Sequence, residues 1–227
     1  MNMQNKDIRT NAYVLRRTNY GEADRILNLI TPLGKMSAIA EGVRKEKSKL
    51  AGSVEMFSLI DINIHQGKSE FGVITSAKML KFYDRIISDL GKMELAAFAL
   101  KRINVAAEHS DNPDYFKIID QTLNAINNGV NNELVEAWFL FNLLRASGEQ
   151  INLYRDTDGE LLDAEEKYEW DFSEDALRKR PSGRISGDEI KMMRLLTTTS
   201  LWTSAKVKNT ENMIPLILHI ARGLNKL

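Results

Sequence analysis

Short apolar runs separated by turn residues open the chain. AYVLRR (12–17), RILNLIT (25–31), KMSAIAEGV (35–43), MFSLIDINIHQ (56–66) and FGVITSAKMLKFY (71–83) are rich in Val, Ile, Leu and Phe. Asn19-Tyr20-Gly21, Thr31-Pro32-Leu33-Gly34 and Gln66-Gly67-Lys68-Ser69 punctuate them, which is the pattern of strands joined by turns. Within LIDINIHQ, Ile60, Ile62 and Ile64 alternate with Asp61, Asn63 and His65, so one face of that strand is buried. Five strands without a long helix between them predict a small closed barrel ending near Tyr83.

From Lys92 the period changes. Leu95, Ala96, Phe98, Ala99, Ile103 and Ala106 recur at helical spacing, and Asp111-Asn112-Pro113 stops that helix and starts another over about 114–127. Asn-Asn-Gly at 127–129 precedes a third helix, with Leu134, Val135, Trp138, Phe139, Phe141, Leu143 and Leu144 apolar. Helical period is lost from Glu149 to Gly183, where Asp156-Thr157-Asp158-Gly159 signals a tight turn and 167–172 reads as extended. Ser186-Gly187-Asp188-Glu189 offers a helix start, and Met213, Ile214, Ile217, Leu218 and Ala221 belong to a last helix. The predicted class is α+β: a barrel domain over 1–83, then a helical domain over 84–227 with an acidic hairpin inserted at 149–184.

Composition narrows the function. The 227 residues hold no cysteine, which excludes disulfides, thiolate metal sites and a cysteine nucleophile. The start MNMQNKDIRT lacks an apolar targeting core, and no stretch approaches the about 18 apolar residues of a membrane span, so a cytoplasmic protein is expected. Formal net charge is zero, yet its distribution is uneven. Nine bases face four acids between Arg9 and Lys49, whereas ten acids face only Lys167 between Asp156 and Asp175.

Catalytic signatures are missing. The sequence has no Gly-x-x-x-x-Gly-Lys-Ser/Thr loop, no Gly-x-Gly-x-x-Gly and no Gly-x-Ser-x-Gly. His65, His109 and His219 lack metal-ligand spacing. Asp156, Asp158 and Glu160 fail as a calcium loop because the twelfth position is Lys167. The chain is therefore read as a non-enzyme without a metal cofactor. What remains is Arg44-Lys45-Glu46-Lys47-Ser48-Lys49, four bases on a loop between the third and fourth strands. Such a loop can follow a phosphate backbone by releasing counterions, although a solvated loop would carry the same residues. Tyr13, Tyr20, Phe57 and Phe71 lie in or near the strands; the sequence leaves open which is exposed, and Phe57 and Phe71, inside apolar runs, read as core.

The run Ala12 to Ile26, with Val14-Leu15 and Tyr20-Gly21-Glu22-Ala23-Asp24, resembles the opening of RecO proteins. Thr31-Pro32-Leu33-Gly34-Lys35 and Gly42-Val43-Arg44-Lys45-Glu46-Lys47-Ser48 are similar to that family's strand pair and basic loop. Agreement in order and spacing covers about the first 60 residues; beyond them it is looser, with a Leu-Leu-Arg-Ala-Ser-Gly step at 143–148. The four-cysteine zinc module of better-known RecO members is missing, and the acidic hairpin stands in its place.

The resemblance implies an OB-fold that binds single- and double-stranded DNA and anneals complementary strands. It further implies a helical part that docks RecR and the C-terminal tail of the single-stranded-DNA-binding protein, with RecF and RecA as further partners in the RecFOR pathway, and a nucleoid-associated location. Expected DNA contacts are Arg44, Lys45, Lys47 and Lys49, extended by Arg16, Arg17, Arg25 and Lys35; strand alternation makes one of Arg16 and Arg17 a bystander unless the strand ends there. Expected partner contacts are Trp138, Arg145, Arg194, Lys206 and Lys208, with filling of the helical core as the competing reading for Trp138. The competing reading is an OB-fold adaptor for protein or RNA.

Overall fold

The computed structural model describes residues 6–110 and 112–226. The chain divides into two compact units, Met1–Asn127 and Asn128–Leu227.

The first unit begins with β1 (Lys6–Tyr20), β2 (Asp24–Thr31), β3 (Gly34–Ala40), β4 (Ser58–Gln66) and β5 (Gly72–Phe82), which close into a barrel in the order β1-β2-β3-β5-β4. This is the five-stranded OB arrangement that the apolar runs and the family resemblance had suggested. Three helices follow: α1 (Asp84–Ile87), α2 (Leu90–Ala106) and α3 (Asp114–Asn127). The four-residue α1 has no sequence signal of its own.

The first strand is much longer than its apolar run, for a reason that burial does not supply. Its first half pairs with β4, from Lys6 opposite Gln66 to Tyr13 opposite Leu59. Its second half pairs with β2, from Tyr13 opposite Ile30 to Tyr20 opposite Asp24. Lys6 to Asn11 are mostly polar and are held by the ladder together with cross-strand pairs to β4, Arg9 with Asp61 at 2.6 Å and Asp7 with His65 at 2.7 Å. A bulge between Val14 and Arg16 inserts the extra residue that lets one strand serve both neighbours.

Inside the barrel lie Ala12, Val14, Leu27, Leu29, Ala38, Ala40, Ile60, Ile62, Ile64 and Ile74. Three alanines among them suit a lumen that five strands leave narrow. Each fully buried leucine or isoleucine contributes about 1.5–3 kcal/mol. Closure rests on a two-residue parallel pairing, Ala38 with Gly72 and Ile39 with Val73. A Cβ on Gly72 would stand 2.4 Å from Ile64 Cγ2 and 2.9 Å from Gln66 Oε1, so only glycine lets β4 and β5 approach there.

Outside the barrel, Tyr13 donates to Asp120 of α3 at 2.6 Å and lies 2.9 Å from the Tyr83 hydroxyl, which also accepts from Asn124 at 3.0 Å. Asn28 donates to Asn104 of α2 at 3.2 Å. These bonds explain why α2 and α3 group with the barrel that ends near Tyr83.

The second unit contains α4 (Asn132–Ala146), β6 (Tyr168–Asp171), β7 (Ala176–Lys179), α5 (Gly187–Thr198), α6 (Leu201–Ser204) and α7 (Ile214–Leu224). Nearly every residue of α4 from Leu134 to Leu144 is buried, so it is the central helix, with α5 and α7 packed on it. Ser186 caps α5 in a full capping box with Glu189, as its sequence signal indicated. The acidic segment 156–175 holds a tight Asp156 turn bridged from Arg155 to Leu161, then the first strand and turn of the β6–β7 hairpin, which ends at Lys179.

That hairpin is less acidic than its sequence window suggested. Arg178 and Lys179 of β7, with Arg180 beyond it, pair with Asp171 at 2.5 Å, Glu166 at 2.8 Å and Glu169 at 2.8 Å. The Asp171 carboxyl is held well below the usual carboxylate range, chiefly by hydrogen bonds from Ser173 and then by Arg178.

Two outcomes test this account. Gly72→Val should destabilise the chain by about 1–3 kcal/mol through overpacking, read as a lower denaturant midpoint. Burial pushes the Tyr83 phenol up to about 12, and burial raises Tyr13 as well. Unfolded phenols ionise near pH ~10, so stability should be complete below that pH and fall as pH rises towards 12. A thermal melt series should show this slope, and Tyr83→Phe should flatten it.

Candidate nucleic-acid interface

The turn between β1 and β2 and the connection between β3 and β4 are bound to each other. The Asp24 carboxylate accepts the Gly42 N–H at 2.6 Å, and the Arg44 N–H donates to the Ala23 carbonyl at 2.9 Å. The Arg44 guanidinium donates to the Glu22 carbonyl. Gly42 adopts φ +62°, a left-handed conformation open to glycine at little cost, which turns the chain out of β3 and onto this clasp.

Beyond the clasp the chain runs through tight turns. Lys45 N donates to Gly42 O at 3.0 Å and Ser48 N to Lys45 O at 3.0 Å. Val43 and Val54 are buried in the barrel core, with Leu50, Ala51 and Met56 packed against it. The connection read from the sequence as a loop is thus a lid packed on the barrel core, anchored by apolar residues at intervals. Between those anchors Arg44, Lys45, Lys47 and Lys49 are exposed. Among the described residues none of the three lysines has an ion-pair partner.

The other expected DNA contacts divide. Arg16 is exposed and stands opposite Asn28, whereas Arg17 stands opposite Leu27, so the two point to opposite faces. Arg17 pairs with Glu55 at 2.5 Å, near the end of the lid. Arg25 is half-buried and donates to Asn19 at 3.2 Å. Lys35 is not gathered with the lid. Its side chain is 12% exposed, and its ammonium donates to Asn104 O at 2.8 Å and to Glu108 at 3.0 Å on the α2 side. That bond and charge, helped by more distant His109 and Arg16, hold the Glu108 carboxyl below its ordinary value. Glu55 and Glu108 lie outside the basic stretch of sequence, so counting charge within it overstated the free bases.

Asp24 is the residue that reading by charge missed, because it enters that count as an acid opposing the site. Its signal was the Tyr-Gly-Glu-x-Asp spacing. In the structure the acid organises the basic segment.

In the second unit, Trp138 is 2% exposed and donates through Nε1 to the Thr199 carbonyl at 3.0 Å, which makes it a core residue of the unit. Arg194 donates to the Leu153 carbonyl at 2.9 and 2.6 Å and lies 4.5 Å over the Tyr154 ring. Arg145 is exposed at a cleft of about 580 Å³ with Gln150, Ile151, Tyr154, Thr197 and Thr198. Lys206 and Lys208 are exposed beyond α6, near Trp202 in sequence. Among the described residues no group of three or more His, Cys, Asp or Glu is placed to hold a metal ion, and no helix is long and apolar enough to cross a membrane. Asp156 serves its own turn, accepting the N–H groups of Asp158 at 3.0 Å and Glu160 at 2.9 Å.

Comparison with known proteins gives two family matches: "Recombination protein O N terminal" over residues 3–83 and "Recombination protein O C terminal" over 88–220. Similar curated proteins include the "DNA repair protein RecO" of Dehalococcoides mccartyi strain CBDB1, 35% identical over 63% of this chain and 56% of that protein. That of Roseiflexus sp. strain RS-1 is 32% identical over 67% of this chain and 54% of its own length. The Bifidobacterium longum strain DJO10A protein is 34% identical over 52% and 51%. The chain thus spans about half the length of these relatives in the matched alignments.

The clasp can be tested directly. Asp24→Ala should lower the local opening free energy of the lid by about 1 kcal/mol, the net worth of one hydrogen bond. Hydrogen exchange at Gly42 and Arg44 should accelerate about fivefold, while exchange in β4 stays unchanged.

Proposed function

This chain belongs to the RecO family, and from that premise we propose that it acts in DNA repair and recombination as a non-catalytic mediator that binds DNA through the lid of its barrel. The observation that carries this reading is the set Arg44, Lys45, Lys47 and Lys49, exposed on a lid anchored by the Asp24 clasp and by Val43 and Val54. A held row of cations favours a phosphate backbone whatever the base sequence. Arg25 adds charge near the start of the lid, Arg16 lies towards Glu108 on the α2 side, and Lys35 and Arg17 serve the protein's own carboxylates.

The mechanism that follows is annealing without nucleotide hydrolysis. Two complementary strands repel through their phosphates, and neutralising part of that charge on one strand lowers the cost of bringing in the second. Base pairing then drives the reaction. Single- and double-stranded DNA are the substrates, RecR the partner in loading RecA onto coated strands, and RecF a further partner. This work belongs in the cytoplasm, at the nucleoid. The acidic, apolar-ended tail of the single-stranded-DNA-binding protein would dock at the cleft of Arg145, Ile151 and Tyr154, which supplies one cation and apolar surface; buried Trp138 supports that cleft from within the unit.

The test is a salt-titrated binding curve of the purified chain. Reversing Lys45 and Lys47 to glutamate should weaken binding and make the slope of log K against log salt shallower by about 1.4 on single strands, two phosphates at ~0.7 each. Unchanged affinity and slope would remove the lid from the interface. A strict ATP requirement for annealing would remove the mechanism.

A further inference from the structure

The hairpin that clasps the lid also carries an exposed aromatic ring. Tyr20, the last residue of β1, is 52% exposed. The other rings of the barrel strands and their connections are less available: Tyr13 and Tyr83 are buried and bonded to α3, Phe57 and Phe71 are half-buried, and Phe82 is 41% exposed. Tyr20 stands directly opposite Asp24 across the β1–β2 pair, so the two side chains leave the hairpin on the same side. That side is the one on which Asp24 takes the Gly42 N–H, and Arg44 is bound to the carbonyl of Glu22, two residues from the ring. The ring and the first cation of the lid therefore share one edge of the barrel. Arg16 and Thr18, both exposed, continue along the same strand face, with Arg16 roughly 13 Å from Tyr20 at four residues of ~3.3 Å each.

We propose that Tyr20 is a base-stacking residue that makes the lid a single-strand site, with an unpaired base on its ring and the adjoining phosphates on Arg44, Lys45 and Lys47. This rests on the reading of the lid as the DNA contact and adds a preference that the lid's charge cannot supply. Cations attract the phosphates of one strand or two alike. An aromatic face adds free energy only when a base is free to leave its neighbours, as in a single strand, and it accepts any base because each has a π-face. The result is a site that prefers unpaired DNA while remaining indifferent to sequence. It also lets go as pairing proceeds, because a base taken into a duplex leaves the ring.

The experiment measures binding of the purified chain to a labelled oligothymidylate and to a hairpin duplex of equal phosphate number, each at several salt concentrations. Tyr20→Ala should weaken the oligothymidylate between about 5-fold and 150-fold, the range for one lost stack. It should leave the salt slope and the duplex affinity unchanged. Tyr20→Phe should bind like the parent chain, and Tyr20→Leu, which keeps apolar bulk without a π-face, should behave like alanine. Equal single-strand affinity in Tyr20→Ala, equal losses on both DNAs, or a leucine variant that matches the parent would each overturn the proposal. The lid reading fails separately, if the Lys45 and Lys47 reversals leave the slope unchanged while Tyr20→Ala still weakens binding.

Discussion

The first unit depends on one residue's position more than any other: Tyr13, where β1 passes from one neighbour to the next. It is opposite Leu59 of β4 and Ile30 of β2, so it joins the two ladders that β1 serves, with its side chain on the outer face. Its phenol is buried and must be satisfied, because an unpaired hydroxyl there would cost about 1–3 kcal/mol. Asp120, with Tyr83 beside it, meets that need. Phe116 adds a ring 5.4 Å away. The requirement to satisfy one hydroxyl thereby pins α3 to the barrel and leaves the far end of β1, with Tyr20 and the Asp24 turn, to project towards solvent.

Electrostatics then sort the bases by what lies near them in space. Chain neutrality conceals three different situations. Lys35 and Arg17 are consumed by Glu108 and Glu55, and Arg178, Lys179 and Arg180 neutralise carboxylates of the hairpin. The lid lysines remain because Val43 and Val54 tie its backbone to the core while its polar residues stay in water. An anchored backbone with free cations restricts their positions before any ligand arrives, which reduces the ordering cost of binding.

Periodicity along the chain determined the five strands, α3 at Asp114–Asn127 and the capped start of α5, because burial of one face imposes period two or 3.6 on the sequence itself. The basic lid was legible as a charge run, and its family context as a spacing of Tyr-Gly-Glu-x-Asp and Gly-x-Arg. Only tertiary structure decided how far β1 extends, since Lys6 to Asn11 are held by ladder bonds and cross-strand pairs and carry little pattern. It also decided which cations are free and that Asp24 supports a basic segment. The physical reason is the range of the interactions. A hydrophobic period is written into neighbouring residues, whereas Lys35 finds Glu108 across 73 positions and Tyr13 finds Asp120 across 107, and such partners are chosen only when the chain has folded.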